Sequence, residues 1–270
     1  MILKSNSQQF VKEDSSAHWY QLNADGTIIA RHEADLRTAR KENLFASPTS
    51  IEKDVRANPQ LLRWIKNEIA KSFINNPRQD GEGDNAYGER ILKIADSARD
   101  EAATRGTDIH AAIEKSGTAD PIIMPFYNAY LPWERANIKQ TYYSEVKMAD
   151  PRIGVAGTVD KIVEHMTHGL CILDFKTQKV KEGKASFYDS FPRQLSFYAE
   201  SYKLKYGTRP RIMSVVIDSQ VPSEPQEKLY TPEEQDQAYK EFLCHVWLWC
   251  ASKAKGGFWP AGKWSPSFNL

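Results

Sequence analysis

The 270-residue chain is poor in the features that mark several large protein classes. It has three cysteines, Cys171, Cys244 and Cys250, at spacings that pair none of them closely, so a disulfide framework is excluded. Cys171 sits inside an apolar run, where a thiol serves as a small hydrophobe. No stretch approaches 18 uninterrupted apolar residues, so no membrane-spanning helix is expected. The opening MILKSNSQQF lacks the basic start, apolar middle and small-residue cleavage site of a secretory signal, and it is not the Arg-rich, acid-poor pattern of an organelle leader. A reducing, cytoplasmic setting without a membrane partner is the expectation. Charge of one sign is missing too. Lys and Arg number 36 against 35 Asp and Glu, for a formal net charge of +1, so a polyanionic partner would have to meet a local basic groove. No repeat is visible, and the length suits one large domain or a domain with an appended arm.

What is present is a change of period along the chain. Residues 16–32 read as a hairpin around Asp25-Gly26, an N-terminal arm within residues 1–46. From Ser47 the run SPTSIEKDV carries a capping serine followed by proline, so a helix begins there and opens the main domain, 47–270. Leu61, Leu62, Ile65, Ile69 and Phe73 fall at helical spacing. The segment from Asn75 to Gly88 is too rich in Gly, Asn, Asp and Pro for regular structure, and a long helix follows to about Ser116, with Gly106 marking a bend or a close approach. Another helix spans 125–138. Period two then takes over at 142–148, 153–164 and 170–177, with a helix at 187–206, a strand at 211–219 and a helix at 232–255. The tail GGFWPAGKWSPSFNL is too rich in Pro and Gly to be helical. Helices, then a sheet crossed by helices, make an α/β or α+β fold with a central mixed sheet and a helical N-terminal region.

The strands GTVDKIV and LCILDFKT carry the chemistry. A turn centred on Thr167 pairs residues whose numbers sum to 334, and this register sets Asp160 opposite Asp174. Two like charges at about 4.5–5.5 Å are unfavourable, and a divalent cation would compensate. Lys176, two residues on, shares the face of Asp174. Val159, Lys161, Val163, Cys171, Leu173 and Phe175 are then expected on the opposite, core-facing side, with Lys161 the exception to burial. Paired carboxylates suit Mg²⁺ or Mn²⁺, and an adjacent amine can orient or deprotonate water and offset phosphate charge, so phosphodiester hydrolysis is the reaction class.

GVAGTVDKI followed by ILDFKT resembles the core motif of the PD-(D/E)XK nucleases, and the likeness extends over roughly residues 47–206. RGTDIH, residues 105–110, is similar to the helical motif of RecB-type nuclease domains, which implies His110 as a metal ligand or near neighbour. QLSFY, residues 194–198, is similar to their Q-x-x-x-Y motif, which implies that Gln194 and Tyr198 position substrate phosphate or the catalytic lysine. Glu145 matches an acid that often precedes the first motif strand. SPTSIEKDVRANPQLLRW resembles the entry of phage-type and mitochondrial-genome-maintenance-like exonucleases. The resemblance implies a restriction-endonuclease-like core and a catalytic set of Asp160, Asp174, Lys176, Gln194, Tyr198 and Glu145. It implies one or two Mg²⁺ or Mn²⁺ ions held by His110, Asp160, Asp174 and the Phe175 carbonyl. With three scattered cysteines, no iron–sulfur cluster is expected.

The substrate implied by the resemblance is DNA, at single-stranded or processed ends, in replication, recombination or repair, with a partner protein as a possible means of delivery. Lys179, Lys181, Lys184, Arg105, Thr177 and Arg193 are the candidate DNA contacts. Tyr142, Tyr143, Trp133, Phe187 and Tyr188 could stack unpaired bases. The alternative is a non-catalytic nucleic-acid-binding or scaffold module on the same fold, against which the intact Asp160, Asp174 and Lys176 argue. A glycosidase would use paired carboxylates but has no need of the lysine or of the Gln-Tyr helix.

Overall fold

The computed structural model describes residues 18–56 and 59–253. The expectations for the first ten residues, for the hairpin's start at 16–17 and for the tail from Gly256 lie outside the described residues, as does the side chain of Leu61.

Strands β1 (Trp19–Leu22) and β2 (Ile28–Ala30) form the expected antiparallel hairpin, with Gly26 at φ 83° supplying its left-handed residue. Helix α1 (Leu36–Glu42) is capped by Asp35, which accepts from the Thr38 N–H, and leads into the two-residue β3 (Phe45–Ala46). Helix α2 (Pro48–Val55) begins where expected, with Ser47 accepting from the Ser50 N–H. Then follow α3 (Pro59–Asn75), α4 (Asp84–Glu114), α5 (Met124–Asn137), β4 (Ile138–Asp150), β5 (Val155–His165), β6 (Gly169–Gln178), α6 (Ser190–Tyr206), β7 (Arg211–Asp218), β8 (Gln226–Leu229) and α7 (Pro232–Lys253). No described helix is long and apolar enough to cross a membrane.

The segment 75–88 is shorter as a loop than its composition suggested, because α4 begins at Asp84. Its turn is tied down locally. Arg90 bridges both Glu82 oxygens at 2.8 Å, and the guanidinium groups of Arg78 and Arg90 stand 5.2 and 5.4 Å from the Tyr87 ring centre. Helix α4 runs through Gly106 without a break, and the glycine is a close approach: a Cβ there would stand 2.6 Å from Thr177 Oγ1 on β6.

The strands make one mixed sheet of eight, flanked by seven helices among the described residues, so the fold is α/β. Its main path is β2-β1-β3-β5-β6-β7-β8, with β4 pairing β5. On one face, Ile51 of α2, Leu195 and Phe197 of α6, and Phe242 and Val246 of α7 bury Val155, Val159, Ile162, Ile172 and Ile212. On the other, Ile109 and Ile113 of α4 and Phe126 and Tyr130 of α5 bury Val163, Cys171, Leu173, Phe175 and Val215. The three cysteines are free, and burial pushes the Cys171 thiol up to about 12.

The sheet forks at β5. One edge of β5 pairs with β4 along its length; the other meets β3 at Val155 in parallel and β6 from Lys161 onward in antiparallel fashion. Between them, β5 leaves a gap that contains Asp160. Strand alternation slips here, and this corrects two expectations. Val159 packs with the α2, α6 and α7 layer, not with Val163 and Phe175. Lys161 is buried at 3% exposure, its charge answered by Glu134 at 2.7 Å and the Tyr130 hydroxyl at 3.1 Å.

Candidate active site

The β5–β6 register is the one the turn implied, since Lys161 pairs with Leu173 and Ile162 with Ile172. One step beyond Lys161 and Leu173, at the fork, the strands separate. There the Phe175 N–H donates to Asp160 Oδ2 at 2.7 Å, which satisfies a backbone donor that a continuing ladder would have used. Helix α4 brings His110 alongside, its Nδ1 4.0 Å from Asp160 Oδ2 and its ring edge-on to Phe175.

Asp174 and Lys176 face α6. Lys176 Nζ donates to Asp174 Oδ1 at 3.0 Å and to Gln194 Oε1 at 3.2 Å, and stands 5.5 Å from the Phe191 ring centre. Nζ is also 2.8 Å from Asp174 Oδ2, yet that buried oxygen accepts no hydrogen bond. Burial raises the Asp174 carboxyl; Lys176 works against this and the Asp160 charge adds to it, leaving the group at about 6. Burial alone would lower the Lys176 ammonium, but the charges of Asp174 and Asp160 prevail and hold it above its ordinary value. Lys176 is therefore a fixed cation in this state, suited to orienting and neutralising an anion rather than to taking a proton.

Tyr198 is buried one turn beyond Gln194 and hydrogen-bonded to it, with its ring against Gly157 of β5. A Cβ at residue 157 would lie 2.5 Å from the Tyr198 hydroxyl and 3.0 Å from Pro48 Cδ. Gly157→Ala is expected to cost about 1–3 kcal/mol in chemical denaturation. Adding Tyr198→Phe should recover part of that loss; no recovery would mean that Tyr198 is not what the methyl group meets.

Glu145 proves far from solvated. It adopts φ 52°, a left-handed conformation that costs a residue with a Cβ about 1–2 kcal/mol, and its Oε1 is buried without a partner. Burial first, then the charges of Asp160 and Glu114 and a hydrogen bond with Glu114, push its carboxyl up to about 9. Glu114, one helical turn beyond His110 on α4, is a site residue that the sequence motifs do not mark. The i, i+4 spacing on α4 was the available signal. As pH rises from 4.5 toward 9, the unfolded chain releases the Glu145 proton while the folded chain keeps it, so stability falls across that window. Glu145→Gln should gain in melting temperature over the unchanged protein between pH 5 and 8.5 in EDTA; parallel pH curves would contradict the buried acid.

Among the described residues, no three His, Cys, Asp or Glu side chains are already arranged to hold a metal ion. The donor chemistry nonetheless fits a hard divalent cation, because Asp174 Oδ2 and Glu145 Oε1 are buried carboxylate oxygens without hydrogen bonds and both carboxyl groups feel the charge of Asp160.

The candidate DNA contacts divide. Lys179, Lys181 and Lys184 are exposed just beyond β6, where Lys181 and Lys184 form an isolated bridge around Gly183. Arg105 is half-buried on α4, and Thr177 is half-buried with its hydroxyl against Gly106. Arg193 cannot be a DNA contact. It is 2% exposed, held by both Glu52 oxygens at 3.0 and 3.1 Å and by Glu241 at 3.0 Å, because its place on α6 points it into the α2–α7 seam. Trp133 is likewise withdrawn from any stacking role, being buried with its indole N–H on Glu227 at 2.8 Å, while Tyr142, Tyr143 and Tyr188 are exposed.

No protein-family model and no curated protein matches the chain. Among solved structures, it is similar to a protein of Eubacterium rectale named "putative exonuclease", with 13% sequence identity and a TM-score of 0.33 over 74% of this chain and 70% of that one. At that distance the likeness carries no argument about activity, so the functional reading rests on the side chains gathered at the fork.

Proposed function

We propose that the chain is a divalent-cation-dependent deoxyribonuclease that hydrolyses phosphodiester bonds at DNA ends. The observation that carries this reading is the part-buried Asp174–Lys176–Gln194 contact, with a second carboxylate, Asp160, close enough for its charge to act on Asp174 and a fixed ammonium between the strand and α6. Asp160 and Asp174 would hold Mg²⁺ or Mn²⁺, with His110 and the Phe175 carbonyl as the further candidates. When bound, the ion would polarise the phosphate and lower the pKa of a water molecule.

The chain's own groups supply the rest. Gln194 fixes the Lys176 ammonium, and Tyr198 fixes Gln194, so the positive charge is held in place before substrate arrives. A scissile phosphate drawn to this ammonium would be oriented by it and its charge offset. The three lysines after β6 would guide the neighbouring phosphates. Work at single-stranded or processed ends, in replication, recombination or repair, belongs to the same proposal.

The test is digestion of end-labelled linear DNA, single- and double-stranded, with Mg²⁺, with Mn²⁺ and with EDTA. Loss of nucleotides from an end, arrested by EDTA and by Asp174→Asn, is the expected result. Digestion that survives in Asp174→Asn would remove the fork from consideration. Binding of nucleic acid without cleavage by the unchanged protein would favour a non-catalytic module.

A further inference from the structure

We propose that Tyr142, Tyr143, Tyr202 and Tyr206 form a base-stacking surface for single-stranded DNA, leading along α6 away from the Lys176–Gln194 contact. The inference rests on the nuclease reading and names the substrate form that reading leaves open.

Gln194, Tyr198, Tyr202 and Tyr206 recur every four residues and so form a ridge on α6. The first member holds Lys176, the second is buried, the third is half-buried and the fourth is 45% exposed. The ridge climbs from the candidate site to the surface over about 18 Å, twelve residues at the helical rise. At its outer end the Tyr202 and Tyr206 rings lie 4.5 Å apart, centre to centre.

Beside α6 runs the N-terminal half of β4, whose residues 139–144 are exposed and whose pairing with β5 is broken between Thr141 and Tyr143. Tyr142 and Tyr143 are 43% and 48% exposed there, within electrostatic reach of the Tyr202 hydroxyl. The Tyr142 hydroxyl donates to Glu164 at 3.2 Å, which restrains its ring. Four rings are thus presented by two packed elements, three of them too open to be core.

Charge selects the occupant. Lys203 and Lys205 are exposed on the last turn of α6, with Lys205 Nζ 5.2 Å from the Tyr206 ring centre. Rings that accept any base face, with ammonium groups beside them for the backbone, are how unpaired nucleic acid is gripped without sequence readout. A duplex, with its bases already stacked, gains nothing from the rings.

The experiment measures fluorescence anisotropy of the full chain in EDTA with three probes: a labelled 12-mer of thymidine, the same length of abasic backbone, and a hairpin duplex. Tyr143→Ala/Tyr206→Ala should raise Kd for the thymidine strand by roughly tenfold or more and leave the abasic and duplex values within twofold. Tyr143→Phe/Tyr206→Phe should stay near the unchanged protein, since the rings persist. Equal thymidine affinity in the alanine variant overturns the proposal, as does the absence of thymidine binding by the unchanged protein. Loss of self-association by the alanine variant, with DNA affinity untouched, would assign the rings to a second copy of the chain. Failure of the nuclease reading shows separately: the unchanged protein would then bind DNA without digesting it in Mg²⁺ or Mn²⁺, and digestion that persists in Asp174→Asn would move the site away from the fork.

Discussion

Replacing Lys176 with methionine is expected to slow DNA digestion by about 10²–10³-fold while the protein stays folded. The size follows from position. The ammonium is fixed by two acceptors before substrate binds, so it needs no reorganisation when charge develops on a phosphate. Methionine keeps the length and the contact with Phe191 but removes the charge. The buried Asp174 would then lose its cation and move further up in pKa, staying neutral to higher pH instead of unfolding the site. Raising the pH should therefore restore metal binding but not the rate, since an ionised Asp174 does not replace the ammonium. Single-turnover rates at pH 7 and 9 check this. Full recovery at pH 9 would mean that Lys176 matters only for the ionisation of Asp174.

Arg193→Ala should destabilise the fold by about 3–5 kcal/mol, the usual cost of removing one partner from a buried ion pair. Arg193 joins Glu52 of α2 to Glu241 of α7, and His245 Nδ1 lies 2.6 Å from the same Glu52, so the substitution strands a nearly buried carboxylate among three helices. Arg193→Met with Glu52→Gln should recover much of the loss, because it removes both charges and keeps most of the volume. Denaturant unfolding of the three proteins reads the difference. A single mutant as stable as the unchanged chain, with weaker DNA affinity and a shallower salt dependence, would return Arg193 to the DNA-contact role that its burial denies.

The long elements were legible because their periods were clean: β5, β6, α6 and α7 lie within a few residues of their expected places, and the turn at Thr167 set the β5–β6 register, although that ladder ends at Lys161 and Leu173, one step short of Asp160 and Asp174. What escaped was decided by tertiary pairing. Strand β3 is two residues long and exists because β1 and β5 flank it, and β8, sequence QEKL, has no strand signature apart from the edge of β7 that it covers. The slip at Asp160 could not be read from alternation, since it arises where β3 leaves β5 and β6 joins it. Arg193 looked like a DNA contact because a lone arginine carries no sign of the two glutamates, 141 residues before it and 48 after it, that hold it. The surroundings of Glu145 were hidden for a related reason. Its left-handed backbone and the facing Glu114 are properties of the folded sheet edge and α4, not of the strand that bears it.

The proposed activity requires Asp160 and Asp174 to share a divalent cation at the fork. Titration calorimetry of Mn²⁺ into the 270-residue chain, run in two buffers of different ionisation enthalpy, reads that shared ion. The expected result is saturable binding that releases protons near pH 6.5, because the raised Asp174 carboxyl must ionise to coordinate, and that disappears in Asp160→Asn/Asp174→Asn. Unchanged stoichiometry and affinity in that double variant would contradict the account.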